Sequence, residues 1–431
     1  MDDNGAPLGR RKPKVIEPLP KPDRPPLPDL DNLEADSVAI DSSEEFPGVT
    51  PDAPKHKPEL PDPPDTFHPA HSHPGHPWYK PVWPPTRLQL GIVGAVLILI
   101  AGGINLYVYT HRTPTPPPTP HYKKYVPPKP VITYSTLTGL PVAPSVNKLP
   151  VTGVMIENFY PDARPQSGLD QAGVVFEAIA EGGITRFLAL YQDNSPSYVG
   201  PVRSARPYYL EWALGFDAGF AHVGGSPEAL QDIKNWHVRD LDQFYNSGAY
   251  WRINSRYAPH NAYTSLAKLH TLEKSKGYTS SNYIGFVRNE KAAPSKSITA
   301  KNIDLTFSGY YYNVHYTYDK ASNAYKRYEG GQPHVVVDAN GHQTQLAPKV
   351  VLALVMPYHL EADGYHSYYN TIGSGQLYVF QDGTVIKGTW HKASRTSQFT
   401  FTDASGATIK LDPGQTWVSA LASSGDVSYK P

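Results

Sequence analysis

The chain reads as an α/β domain followed by a β-rich domain, tethered by one transmembrane helix that follows a disordered, proline-rich tail. Three observations predict this. Of the 45 prolines in 431 residues, 21 fall within residues 1–87. Residues 88–109 carry no charge at all. Beyond Ile132, strand-like and helix-like segments alternate, and beyond residue 296 only strand-like segments follow.

The tail comes first. Residues 1–87 hold 10 Lys/Arg against 15 Asp/Glu, a net charge of −5. With few aliphatic residues, such a segment cannot offset its ordering entropy and is expected to stay disordered with polyproline II character. The run PLPKPDRPPLPDL has PxxP spacing and reads as solvated linker rather than a docking peptide. His68, His71, His73 and His76 cluster in FHPAHSHPGH. No fold fixes their geometry, so they are not read as a metal site.

The span LQLGIVGAVLILIAGGINLYVY follows. Its 22 residues reach about 33 Å as a helix, enough for a hydrocarbon core of about 30 Å. Arg87 and Arg112 bracket it, and Trp78, Tyr79, Trp83, Tyr107 and Tyr109 sit where interfacial aromatics belong. Its start 87 residues into the chain argues for an uncleaved anchor rather than a signal peptide. The tail is expected in the cytoplasm and the C-terminal domains outside. The positive charges beside the span lean weakly the other way, with Lys80 and Arg87 before it and Arg112, Lys123, Lys124 and Lys129 after it. Residues 110–131 form a second proline-rich run, which as extended chain would hold the remainder off the membrane.

Residues 132–295 should make the α/β domain. VTGVMIEN (151–158) and TRFLALY (185–191) read as strands, with helical spacing over Leu169–Ile179 between them. Pro207–Leu214 fits a helix with proline in its first turn. AGFAHVGG (218–225) is a strand closed by a Gly-Gly turn, after which Ser226 can cap a helix starting at Pro227. Tyr263–Lys276 has a helical pattern opened by Thr264 or Ser265. Gly182-Gly183 reads as a turn into the strand at Thr185. Residues 296–431 should make the β-rich domain, with strands at 303–307, 312–318, 334–338, 350–355, 375–380, 385–392, 398–402 and 408–411. Asp382-Gly383 is a two-residue hairpin signal, and Asp403–Gly406 and Ala339–Gly341 read as further turns.

Composition excludes several classes of function. Cysteine is absent, so there is no disulfide framework, cysteine nucleophile or lipobox. The formal net charge is zero, unlike that of a dedicated nucleic-acid binder. No Walker, Rossmann or GxSxG motif occurs. No cofactor or metal is expected, and the oligomeric state stays open.

Functional-looking residues concentrate in MIENFYPDARPQSGL (155–169), VVFEAIAEGGITRFLALY (174–191), VGPVRSARPYYLEWA (199–213), GGSPEAL (224–230) and RYAPHNAYTS (256–265). These closely resemble the YerB-like lipoprotein family of bacteria, whose domain has no assigned function. YEGGQPHVVVDANG (328–341), VFQDGTVIKGTWHKASRTSQFTFTDASG (379–406) and LDPGQTWVSAL (411–421) extend the resemblance to residues 136–425. It implies an N-terminal domain with a C-terminal partner domain, on a cell-surface protein often held by a lipid on an N-terminal cysteine. This chain has no cysteine, and the helix at 88–109 would replace that anchor.

The resemblance transfers no reaction, so the residues are weighed directly. Arg164, Arg186, Arg203 and Arg206 sit beside Gly or Pro, and guanidinium forks suit carboxylates and phosphates. They could equally pair with Glu157, Glu177, Glu181 and Glu211. Arg203-Ser-Ala-Arg206 before Pro207 is the preferred anion site, because helix N-terminal amides would add to it. Asn158 and Tyr208 join Arg186, Arg203 and Arg206 as expected ligand-binding residues, with Tyr209 and Trp212 near for stacking. Glu157, Glu181 and His260 are the weak catalytic candidates. Were the helix at 169–179 to continue, Glu177 and Glu181 would share a face of it. A metal site from His222, Asp240, Asp242 and His260 lacks diagnostic spacing.

The favoured reading is a membrane-anchored cell-surface protein that binds a glycan, a peptide or an anionic cell-wall polymer. An envelope hydrolase or transferase using Glu157, Glu181 or His260 is the alternative. A structural or assembly protein that binds an envelope protein is the third.

Overall fold

The computed structural model describes residues 87–112 and 132–431. The PxxP run, the histidine cluster and most of the second proline-rich run lie outside the described residues. Helix α1 (Arg87–Thr110) is apolar along its length, and its large side chains, Leu97, Leu99 and Leu106 among them, are exposed. It extends the predicted span by one residue at each end.

The remaining described residues form a unit of their own. Its centre is a ten-stranded sheet. Five strands come from the N-terminal half: β1 (Thr152–Glu157), β2 (Val174–Glu181), β3 (Ile184–Tyr191), β4 (Gly219–Ala221) and β5 (Arg239–Asp240). Five come from the C-terminal half: β6 (Val350–Val355), β7 (Gly373–Gln381), β8 (Thr384–Lys392), β9 (Thr400–Asp403) and β10 (Thr416–Leu421). Their order is β9-β8-β7-β6-β10-β2-β3-β1-β4-β5. The N-terminal α/β part and the C-terminal β-rich part thus meet inside one sheet. β10 is the joint, running parallel to β6 on one side and to β2 on the other.

Side chains alternate across β1, β2 and β3, so each face of the sheet carries its own core. Met155, Phe176, Ala178 and Leu188 belong to one, together with residues of α2 (Pro207–Leu214) and α3 (Pro227–Asn235). Val154, Ile156, Val175 and Phe187 belong to the other, with Trp417 and the buried Leu266 and Leu269 of α4 (Leu266–Ser275). Ser226 accepts from the Ala229 amide as the N-cap of α3, and Ser265 accepts from Lys268 as that of α4. A five-stranded sheet stands beside this framework. Its order is 332–333, 324–329, 314–319, 302–305 and 427–430.

The hairpin signals are realised. Gly182 and Gly183 join β2 to β3, and Asp382 and Gly383 join β7 to β8, all four at positive φ as a type I′ turn requires. Three elements differ from expectation. Leu169–Ile179 is a short 3-10 turn (Leu169–Gln171) running into β2, because VVFEAIAE is β-branched and apolar on both faces and pairs with β3 and β10. Helix α4 starts later than expected, since residues 262–264 pair with 250–252. Residues 408–411 are not a strand: Ile409 N donates to Phe401 O but Leu411 N donates to Val287 O, which divides their pairing between two neighbours. Among the strands the sequence did not suggest, 324–329 and β10 matter most for the site.

Candidate functional site

Glu157 ends β1 and stands opposite Arg186 of β3. Between β2 and β3 a bulge at Ile179–Glu181 shifts the register by one residue. That shift turns Glu181 to the Arg186 side, while Glu177 stays on the other. A helix continued past Ile179 would have put Glu177 and Glu181 on one face; in the sheet they are on opposite faces.

Arg186 and Arg206 both close on Glu181, each at 2.5 Å. Their other terminal nitrogens donate to the Ser204 and Ala205 carbonyls. Burial alone would raise the Glu181 pKa, but the two guanidinium groups outweigh it and hold the carboxyl below its usual range. Pro207 does open a helix, with Arg206 as its N-cap. The anion that Arg186 and Arg206 hold is the protein's own Glu181, so these two buried residues are corrected from ligand contacts to a structural clamp.

Arg203 differs. Its Nε donates to Glu157 Oε1 at 2.9 Å, and its side chain remains 25% exposed. Its terminal nitrogens make no hydrogen bond among the described residues and face solvent. The second Glu157 oxygen receives His260 Nδ1 at 3.0 Å, and Phe159 stacks on that imidazole at 5.1 Å. Burial pushes the Glu157 pKa up, but the His260 hydrogen bond and the Arg203 charge more than reverse it. Glu157 therefore holds both partners in place, one on each carboxylate oxygen. His260 Nε2 is accessible and makes no hydrogen bond among the described residues.

Arg203 lines an open cleft of about 730 Å³. The Gly224-Gly225 turn, Lys234 of α3, the exposed Phe244 and Tyr245, and Arg252 complete its wall. Asp240 and Asp242 also line it, but each has an oxygen turned inward. Asp240 Oδ1 takes His222 Nε2 and the Asp242 amide, and Asp242 Oδ1 takes the Gly224 and Phe244 amides. Arg252 bonds Asn261, and neither Arg252 nor Lys234 has a carboxylate partner among the described residues. The cleft therefore sets the outer nitrogens of Arg203, with Lys234 and Arg252, beside aromatic rings and the remaining oxygens of Asp240 and Asp242; its cationic donors suit an anion that carries an apolar or ring-bearing portion.

Three other expectations are revised. Tyr208 is buried in the core and gives its hydroxyl to the Ile179 carbonyl, so its ring cannot stack on a ligand. Tyr209 and Trp212 are core residues for the same reason. Asn158 is fully buried, with its amide given to Thr185 and Glu329 and its oxygen taken by Arg164 and Gln166. His222 spends both ring nitrogens on Gly224 O and Asp240. Among the described residues no group of three or more His, Asp and Glu side chains is placed to hold a metal ion.

On the opposite face of the sheet a sealed polar network joins the two halves. Glu177 takes Arg327 Nη2 and the Trp417 indole, both at 2.8 Å, with Thr185 at 3.3 Å. Arg327 lies over the Trp417 ring at 4.4 Å and donates to Tyr316 and His334. Arg164 reaches Glu329 and the Tyr311 carbonyl. The sequence reading missed Arg327, Glu329, Lys234 and Arg252. The strand AYKRYE buries Tyr325, Arg327 and Glu329 and turns Lys326 and Tyr328 outward, so its inner row is largely charged and hides the apolar alternation that marks a strand. Lys234 and Arg252 look like ordinary surface charge until the fold brings them to one cleft.

Residues 137–279 match the N-terminal domain of a protein family described as of unknown function, DUF3048, and residues 303–418 match its C-terminal domain. A candidate lipoprotein, YerB of Bacillus subtilis (strain 168), is 30% identical over 291 residues, which span 66% of this chain and 85% of that protein. The crystal structure of the YerB protein from Bacillus subtilis superposes with a TM-score of 0.62 at 29% identity, covering 69% of this chain and all of the other. The family implied by the sequence motifs is therefore shown: the chain belongs to the DUF3048 family, as a relative of YerB.

Proposed function

We propose that this chain is an anchored protein of the bacterial cell surface whose N-terminal domain binds an anionic envelope ligand in the cleft at Arg203. One observation carries the reading. Glu157 fixes the Arg203 side chain through Nε and leaves the outer guanidinium nitrogens open to a cleft that also holds Lys234 and Arg252. A pre-positioned fork loses little rotamer freedom on binding a phosphate or carboxylate. Phosphate-bearing cell-wall polymer is the class that matches this charge. Kinship with a candidate lipoprotein supports the surface placement, and α1 would take the part of the lipid.

Binding of poly(glycerol phosphate) to the full chain in nanodiscs tests the site. Saturable, salt-sensitive binding that Arg203→Ala weakens is expected. Absence of binding, or binding indifferent to that substitution, would reject it. Orientation is tested separately, since the natural chain has no cysteine. A cysteine introduced at Ser255 should react with an impermeant maleimide on intact cells, and one at Ser43 should not; the reverse pattern would invert the topology.

A second reading, hydrolysis, is favoured by His260 alone. With Nδ1 held by Glu157, the accessible Nε2 is placed to take a proton from water. Release of product from cell-wall material, abolished by His260→Ala with folding intact, would select this reading.

A further inference from the structure

Arg164, Tyr160, Pro165 and Pro333 wall a second cleft, of about 260 Å³, at the seam between the two halves. Tyr160 is partly exposed and stacks on Tyr311 at 4.2 Å, and Arg164 packs over Tyr160 and Tyr312. Glu329 also lines this cleft, yet the residue is only 4% exposed. Its Oε1 is taken by Asn158 at 2.7 Å and by Arg164. Its Oε2 has no hydrogen-bond partner among the described residues.

The orphan is forced by the direction of the surrounding hydrogen bonds. His334 Nδ1 lies 3.2 Å from Oε2, but that nitrogen already accepts Arg327 Nε at 2.8 Å. The other ring nitrogen faces Gln166 Oε1 at 3.0 Å, and the Gln166 amide goes on to Asn158 and to the Glu157 carbonyl. Burial and the neighbouring Arg327 and Arg164 charges hold the His334 pKa well below its usual value, so the ring is neutral and has no second hydrogen to give. A buried acceptor left without a donor is disfavoured, because it has lost its water and gained nothing in return.

The geometry points to a second ligand site here, specific for a neutral, hydroxyl-bearing ring such as a glycan unit. Two guanidinium groups, Arg164 and Arg327, already lie against Glu177 and Glu329. A cationic or anionic ligand would upset that balance, whereas a hydroxyl supplies the missing donor without adding charge. The walls are a tyrosine ring and prolines, which suit the C–H face of a sugar. Asn158 follows Glu157 directly and turns to the other face of the sheet, so this site and the Arg203 cleft flank one strand end. The proposal does not rest on the Arg203 reading.

The test uses the full chain in nanodiscs free of glycoside detergent, with tri-N-acetylchitotriose as probe and saturation-transfer NMR or calorimetry as readout. Saturable binding is expected. Tyr160→Ala, which removes no hydrogen bond of the buried network, should weaken it roughly tenfold or more. Glu329→Gln should weaken it as well, and Arg203→Ala should leave it unchanged. No saturable binding at millimolar sugar, binding that survives both Tyr160→Ala and Glu329→Gln, or binding lost only with Arg203→Ala would each overturn the proposal.

Discussion

The two polar clusters at the end of β1 share a sheet and are built differently. On the α2 and α3 face, Glu157 and Glu181 are buried but outmatched by cations, and their carboxyls are held below the usual range. On the α4 face, Glu177 is fully enclosed, and burial wins over the Arg327 charge and raises its pKa. The first cluster ends at solvent, with Arg203 half-committed. The second ends in tryptophan and tyrosine rings, with Arg327 wholly committed. Buried ion pairs of the second kind fix how surfaces fit together more than they add stability, but removing one partner strands a charge. We read the enclosed network of Glu177, Arg327 and Trp417 as the device that registers the two halves, and the solvent-facing clefts at Arg203 and at Arg164 as the places open to a ligand.

Arg327→Ala leaves Glu177 without its cation and should destabilise the globular unit by about 3–5 kcal/mol. Arg203→Ala, at a partly exposed pair, should cost about 1 kcal/mol or less. Urea unfolding followed by tryptophan fluorescence measures both. Equal costs would mean that the two faces are not different in kind.

Glu273 of α4 sharpens the point. It is buried against Thr152, and burial lifts its pKa to about 8. Because the folded value lies above the unfolded one, near 4.3, its contribution to stability is full below that lower value and lost as pH rises towards 8. Glu273→Gln should therefore change little at about pH 4 or below and stabilise by up to a few kcal/mol at about pH 8, at about 1.4 kcal/mol per pK unit. Glu157 and Glu181 have the opposite sign: their contribution holds above the unfolded value and fades as pH falls through the depressed one. A denaturation series across pH separates the two. A Glu273→Gln curve parallel to that of the natural chain would contradict the burial argument.

A smaller effect concerns the cleft itself. Arg203→Ala should reduce affinity for poly(glycerol phosphate) about tenfold, and the salt dependence should flatten with it. The smallest is local: Ser226→Ala removes the cap of α3, the helix that carries Lys234. It should cost about 1 kcal/mol and loosen the cleft wall without touching the sealed network. Hydrogen exchange in residues 227–235 against residues 324–329 would show whether the loss is confined as expected.

Much of the local architecture is legible in the sequence. Proline at the start of α2, Ser226 and Ser265 as caps, and Gly182-Gly183 and Asp382-Gly383 as hairpin turns are decisions taken by a few adjacent residues, and local sterics and hydrogen bonding suffice to read them. The family is legible for a related reason, since its motifs are contiguous strings. The site is legible only in part. Glu157, Arg203 and His260 do come together, but Tyr208 and Asn158, which look equally polar in sequence, are spent inside.

The uncharged helix, the composition of the proline-rich tail, the turn and cap positions and the family are all written in adjacent residues. The joining of the two halves through β10, the bulge that sends Glu177 and Glu181 to opposite faces, and the contrast between Arg206 clamped on Glu181 and Arg203 facing a cleft emerge only when distant strands pair. The difference is one of range. Caps and turns depend on neighbours within about four residues, whereas the partner that a buried charge finds depends on strand register, and one residue of slip moves every side chain to the other side.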